Sequence, residues 1–341
     1  MDAAGNTYIT GFTTSANFPL KDNLAQCQPF SNFLMVLDRS GNVIQSAYVP
    51  GMIPKLSFST NTLASPTMGT LALGGGGVYL ASLAEAGDGL SVVRLAPATT
   101  ATLRLACAGN AAVNLASPVA PGEIVSLFGE SMGPAASISV TFDGKPAPML
   151  YASANQINAI VPWELTSATS TQVCESYDGG SPACMTFDVA PAVPGVFMAD
   201  DTYALAVNQD GTINSASNPA ELGSIVSIFA TGLGPVTPVP RDGAVAIPPL
   251  GTNVLPAVIG IPSIGVKSSG ETVLEPQYAG PAPFQVYGVS QVNLTASFDG
   301  MYIRVGAAQS NGRAAPRVVI AEPVPFVLPG SSQMFLIHVG E

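Results

Sequence analysis

Charge is scarce in this sequence. Asp, Glu, Lys and Arg make up 10% of its 341 residues, against about 25% in an ordinary soluble domain. A surface so poor in charge is made polar by Ser, Thr and Asn, coated by glycan, or covered by other subunits. The 11 basic residues form no cluster and the net charge is −11, which argues against nucleic acid, an anionic membrane or an acidic substrate as partner. Histidine is nearly absent: His338 stands alone between Ile337 and Val339 and reads as a strand residue. No nucleophile-elbow sequence surrounds it, and one histidine leaves too few ligands for zinc. The sequence therefore assigns no catalytic residue, metal or cofactor. Long apolar runs that could span a membrane are also missing, because the uncharged stretches 56–84 and 244–266 are broken by four glycines at 74–77 and by Pro248, Pro249, Pro256 and Pro262. Met1-Asp2 leads straight into a polar turn, so any leader or upstream unit is expected to lie outside the chain.

What is abundant is turn punctuation. The 35 Gly and 30 Pro fall between short apolar runs, the pattern of an all-β protein. One object is written twice: GEIVSLFGESMGP (122–134) returns as GSIVSIFATGLGP (223–235) at an offset of 101. Tyr151-Ala152 recurs as Tyr278-Ala279, and Gln156-Ile157-Asn158 as Gln291-Val292-Asn293. These later offsets are larger, so the second copy carries an insertion in its Pro-rich middle. Three regions are expected: a strand-rich region with its linker at 1–104, a first β-sandwich unit at 105–195, and a second with a C-terminal strand tail at 196–341. In the first unit, SISVTF sends Ile138, Val140 and Phe142 inward before a tight Asp143-Gly144 turn.

The four cysteines point to an oxidising compartment. Cys174 and Cys184 flank Asp178-Gly179-Gly180, a three-residue hairpin loop that sets them opposite one another and favours a disulfide over buried thiols or a metal pair. Alternation in TLRLAC places Cys107 on one face with Leu103 and Leu105, and Cys27 is its remaining partner.

At these residues the chain resembles known sequences. DAAGNTYITGFTTSANFP (2–19) is similar to one unit of the SBBP-type bacterial β-propeller repeat, with NFLMVLDRSGNVIQSAYV as its neighbouring strands. From about Cys107 onward, APMLYASANQINAIVPW, NQDGTINSASNPAELGSIVSIFATGLGPVTP and VSQVNLTASF resemble the uncharacterised C-terminal domain that follows such repeats in large secreted bacterial proteins. The resemblance implies an extracellular or cell-surface protein with immunoglobulin-like β units and no established activity. A lone propeller unit cannot close, and 313–341 extends past the recognisable part, so strand donation between copies of the chain, propagating into a fibre, is one expected function; the other reading of the tail is that it folds back as the final strand of its own sandwich.

A carbohydrate-binding adhesin is the alternative. Trp163, together with Tyr151, Tyr177, Tyr203, Tyr278 and Tyr287, could line a sugar groove, although a tryptophan also closes the end of a sandwich core. Sites for O-linked glycan are Thr99, Thr100 and Thr102 in the linker and Thr169 and Thr171 in TSATST. Asn293-Leu294-Thr295 is a sequon, but its counterpart at Asn158 lacks one, which suggests a shared structural hydrogen-bond role for both amides. Asp200, Asp201, Asn208, Asp210 and Asn214 offer oxygen ligands without the spacing of a calcium loop.

Overall fold

The structure, a computed structural model, describes residues 1–13, 19, 21, 31–49, 70–75, 77–83, 90–95, 103–114, 117–132, 137–200, 202–261, 272–296, 302–305, 308–310 and 316–321. The chain is all-β. Its N-terminal region forms two three-stranded antiparallel meanders: β1 (Thr7–Thr13), β2 (Ser31–Leu37) and β3 (Val43–Val49), then β4 (Thr70–Gly74), β5 (Gly77–Leu83) and β6 (Leu90–Leu95). Leu34, Val36 and Val49 of the first are buried in one cluster with Leu80 of the second. This corrects the propeller expectation among the described residues: there is no four-stranded blade, and the two sheets share one small apolar cluster. Asp2 and Asp38 close equivalent D-x-x-G-N loops, accepting the backbone N–H of Asn6 and Asn42 at 2.9 Å in each case. Gly5 and Gly41 sit at φ +81° and +83° there, a conformation glycine adopts without steric cost.

The first sandwich packs two four-stranded sheets. One has the order β11 (Met149–Ala152), β12 (Gln156–Ile160), β8 (Ile124–Glu130), β7 (Arg104–Asn110); the other β10 (Lys145–Pro146), β9 (Ile138–Phe142), β13 (Ser170–Tyr177), β14 (Ala183–Asp188). Ile138, Val140 and Phe142 face Val125, Leu127, Ile157 and Ala159 in one core. Asp143 and Gly144 both take positive φ, which matches a two-residue hairpin to the twist of its strands.

The second sandwich repeats that order. The sheet β22 (Tyr278–Pro281), β23 (Ser290–Thr295), β17 (Ile225–Thr231), β15 (Gly195–Val196), with β16 (Ala206–Asn208) also on β17, faces β21 (Thr272–Leu274), β20 (Ala257–Ile261), β24 (Tyr302–Val305), β25 (Ala308–Gln309). The insertion that enlarges the repeat offset includes the hairpin of β18 (Val236–Thr237) and β19 (Thr252–Asn253).

One expectation changes at this level and one open choice is decided. A register shift between Leu105 and Cys107 puts a bulge in β7, so Leu105 and Ala108 enter the core while Cys107 pairs with Phe128 and turns away from the Leu105 face. The tail is internal over 316–321: Val318 is buried in the second core, Tyr203 bridges Arg317, and Ala220 bridges Ile320. Asn214 clamps Val319 at both backbone groups, at 2.7 and 2.8 Å. A segment whose apolar side chains already fill its own core is not available for donation; residues 322–341, including His338, lie outside the described residues.

Cys174 and Cys184 are directly paired across β13 and β14 and joined by a disulfide with Cα atoms 4.1 Å apart. Cys107 is also disulfide-bonded; Cys27 lies outside the described residues. Replacing both Cys174 and Cys184 by alanine should lower stability by about 2–3 kcal/mol, as expected for opening so short a loop. Urea unfolding of the double variant measures this; an unchanged midpoint would contradict it.

Candidate functional site

The twice-written motif builds the same polar row on the outer face of each sandwich. Because strand side chains alternate, Val125 and Leu127 go to the core and Ser126 goes outward; Val226, Ile228 and Ser227 divide the same way. Register then aligns Ser126 with Asn158 and Asn158 with Tyr151 in the first unit, and Ser227 with Asn293 and Asn293 with Tyr278 in the second. The amides are locked alike. Asn158 Oδ1 accepts from Ser126 Oγ (3.1 Å) and Gln156 Nε2 (2.8 Å). Asn293 Oδ1 accepts from Ser227 Oγ (2.9 Å) and Gln291 Nε2 (2.8 Å), and Gln291 also donates to Ser227 at 3.1 Å. In both copies the asparagine oxygen is occupied twice, leaving Nδ2, with two N–H donors, and the glutamine Oε1 outside these bonds; only in the second does Gln291 close the triangle onto Ser227. The row is thus a fixed set of neutral donors and acceptors beside an aromatic ring, without a charged side chain among these residues.

The two copies differ in how the tyrosine lies. In the second, Gly280 faces Gln291, and a Cβ there would meet the Tyr278 hydroxyl at 2.8 Å. The ring folds along the strand over this glycine, and its hydroxyl donates to Pro281 O at 2.8 Å. Burial raises the Tyr278 pKa, with a further push from Tyr287, so the phenol stays a donor. In the first copy the position two residues after the tyrosine is Ser153, which is engaged with Gln156 in the turn, and Tyr151 stands 52% exposed. Ser126 and Phe128 on β8 are buried, whereas Ser227 and Phe229 on β17 are half-buried.

Trp163 is elsewhere, at the junction of the sandwiches. It is 5% exposed, starts a 3-10 turn (Trp163–Ser167), and its ring lies against Gly122, where a Cβ would come within 1.9 Å. It lines a cavity of about 10 Å³ with Leu233, Tyr287 and Gly288, room for about one water molecule and not for a sugar. This corrects the expected sugar groove: Tyr287 belongs to the junction, Tyr177 ends β13 in the opposite sheet, and Tyr203 bridges the tail. Hydrogen bonds cross the junction from Ile124 N to Thr231 Oγ1 (2.8 Å), from Asn110 Nδ2 to Val193 O (2.7 Å) and from Trp163 N to Asp242 Oδ1 (3.2 Å). Gly232 and Gly195 make room for Asn110, since a Cβ at either would strike Val193 O or the amide itself. Glu123 is buried here; Oε2 accepts Ala120 N at 2.7 Å, and burial pushes its pKa up to about 8.

The other sequence candidates are dispersed. Thr169 is exposed, whereas Thr171 is 2% exposed with its hydroxyl donated to Asp143 at 2.9 Å, which removes it as a glycosylation site; Thr99, Thr100 and Thr102 lie outside the described residues. The oxygen-rich loop spends its groups locally: Asp200 accepts Thr202 N and Tyr203 N, Asp210 accepts Thr212, and Asn208 accepts from Asn214. Asp201 lies outside the described residues. The recurrence of the Tyr-Ala and Gln-x-Asn pairs is visible in the sequence, but their union with Ser126 and Ser227 in one row needs the strand order.

These observations define an all-β protein of tandem sandwiches with a repeated neutral polar row. No family model matches the chain, and no curated protein matches it. Among solved structures it overlaps SGBP-B of the Bacteroides ovatus mixed-linkage glucan utilization locus, solved with a mixed-linkage heptasaccharide, at 10% identity and TM-score 0.31, covering 94% of this chain and 71% of that one. It also overlaps an auxiliary nutrient binding protein from Bacteroides ovatus at 12% identity and TM-score 0.18, covering 59% and 56%. A third overlap is with the extracellular region of plexin A4, at 8% and 0.25, covering 83% and 22%.

Proposed function

We propose that the chain is a non-enzymatic, extracellular or cell-surface module that binds neutral glycans, with the outer face of the second sandwich as its binding surface and unit boundaries just before Arg104 and just before Ala192, so that β7 and β15 stay whole. The observation that carries this reading is the locked Ser227–Gln291–Asn293 triangle beside the flat Tyr278 ring. Sugars present hydroxyls that both donate and accept, and apolar C–H faces that lie on aromatic rings. The row offers both, already oriented. The absence of charged groups from the row and the net charge of −11 favour neutral over acidic sugars. Disulfides suit the extracellular location. Strand donation into a fibre is the less favoured reading, since 316–321 is engaged within its own sandwich.

The test is an array of soluble neutral glycans probed with the full chain. Binding is expected, and Tyr278→Ala should weaken it about tenfold, the loss of one aromatic contact of about 1.4 kcal/mol. An array without any neutral glycan bound, or binding indifferent to Tyr278→Ala and Asn293→Ala, would sink the reading.

A further inference from the structure

We infer that the first sandwich carries a second saccharide site at Tyr151, Gln156 and Asn158, and that the two sites together select polymeric over short glycans. This rests on the reading of the second sandwich as a glycan-binding face. The hydrogen bonds onto the asparagine oxygen are duplicated to within a few tenths of an ångström, 3.1 and 2.8 Å onto Asn158 against 2.9 and 2.8 Å onto Asn293, while the bond from Gln291 to Ser227 is made in the second copy alone. The serine of each copy orients the amide from the neighbouring strand; Ser126 is buried, while Gln156 and Asn158 stay half-exposed on the strand beside Tyr151. A core needs none of this. The core-facing residues on the same strands, Val125, Leu127, Ile157 and Ala159, differ in identity from their partners Val226, Ile228, Val292 and Leu294 at three of four positions, while the outward Ser, Gln, Asn and Tyr are identical.

The junction makes the pair more than two independent sites. Ile124 N donates to Thr231 Oγ1, which donates on to Gly288 O at 2.7 Å, so β8 of one row is tied to β17 and the β22–β23 connection of the other. Asn110 holds the connecting segment through Val193 O, with Gly232 and Gly195 packed against the amide. Two saccharide sites held on one body engage a repeating polymer as one event followed by an intramolecular second, at an effective concentration set by their fixed spacing. A short oligosaccharide fills the sites separately.

The experiment uses the full chain with soluble β-glucan, xylan, mannan and galactan, each as disaccharide, hexasaccharide and polymer, in isothermal titration calorimetry. Expected is a stoichiometry of two short oligosaccharides per chain, with one of the two bound about tenfold more weakly in Tyr151→Ala and equally in Tyr278→Ala, and in the wild type polymer binding at least about a hundredfold tighter than hexasaccharide binding, weakened by about tenfold in either variant. Tyr151 is an exposed surface residue, so Tyr151→Ala keeps the fold testable; far-UV circular dichroism checks it, and Asn158→Ala is the second variant. A stoichiometry of one, with binding that Tyr278→Ala weakens and Tyr151→Ala leaves unchanged, overturns the second site while the proposed function stands. Two sites with no gain for polymer overturn the selection for polymeric glycans. Absence of binding to every probe overturns both readings.

Discussion

Replacing Gly122 with alanine should lower the stability of the chain by about 3 kcal/mol, whereas the same change at Gly223 should cost about 1 kcal/mol. The two glycines occupy the same motif position, both take positive φ (+72° and +81°), and both donate their N–H at 2.9 Å to equivalent carbonyls, Val161 O and Ala296 O. A left-handed conformation charges an L-residue about 1–2 kcal/mol in either copy. Only Gly122 has the indole of Trp163 across it, at 1.9 Å from a built Cβ, while nothing lies within 4 Å at Gly223. A methyl at 122 must displace a buried ring at the junction, and overpacking adds about 1–3 kcal/mol. Urea unfolding compares the two variants. Trp163, the single tryptophan, reports the cause directly, since its emission should shift to the red in Gly122→Ala and stay unchanged in Gly223→Ala. Equal losses at the two positions would refute the role given to the tryptophan.

The second large effect is on pH dependence. Glu175 points into the first core from β13, is 0% exposed, and neither carboxyl oxygen has a hydrogen-bond partner. Burial pushes its pKa up to about 8 from 4.5. The sign follows from proton counting: between these values the unfolded chain has released the proton and the folded chain still holds it, so stability falls as pH rises from about 4.5 to about 8 and levels off above. At about pH 7 the penalty is of order 3 kcal/mol, taking about 1.4 kcal/mol per unit. Glu175→Met, similar in length and without a polar group, should remove the Glu175 share of this slope and raise the unfolding midpoint at neutral pH, with little effect at about pH 4. Glu123 acts with the same sign through the same window, so the single variant flattens part of the profile and Glu123→Gln with Glu175→Met flattens more. Unfolding midpoints measured across this range decide it; a wild-type stability that rises toward pH 8 would contradict the buried placement of both acids.

Much of the architecture is written in local chemistry. Alternation over SISVTF sorts Ile138, Val140 and Phe142 from Ser139 and Thr141, and Asp-Gly at 143–144 fixes a turn, because period two and positive φ are properties of neighbouring residues. The Cys174–Cys184 pairing is equally local, counted outward from one hairpin loop. The duplication is visible too, since its motifs survive side by side in one chain. Other features depend on residues distant in sequence. One extra residue in β7 turns Cys107 to the other face, and alternation cannot foresee a bulge. The tail's apolar alternation suits a donated strand as well as an internal one, and only the core beneath Val318 and the Asn214 clamp decide for the second. Trp163 carries an aromatic face fit for sugar, yet Gly122, forty-one positions earlier, takes that face for the junction. The site itself is of this kind: serine, glutamine, asparagine and tyrosine are each ordinary in sequence, and they become one oriented row because strand order and register bring β8, β12 and β11, and again β17, β23 and β22, edge to edge.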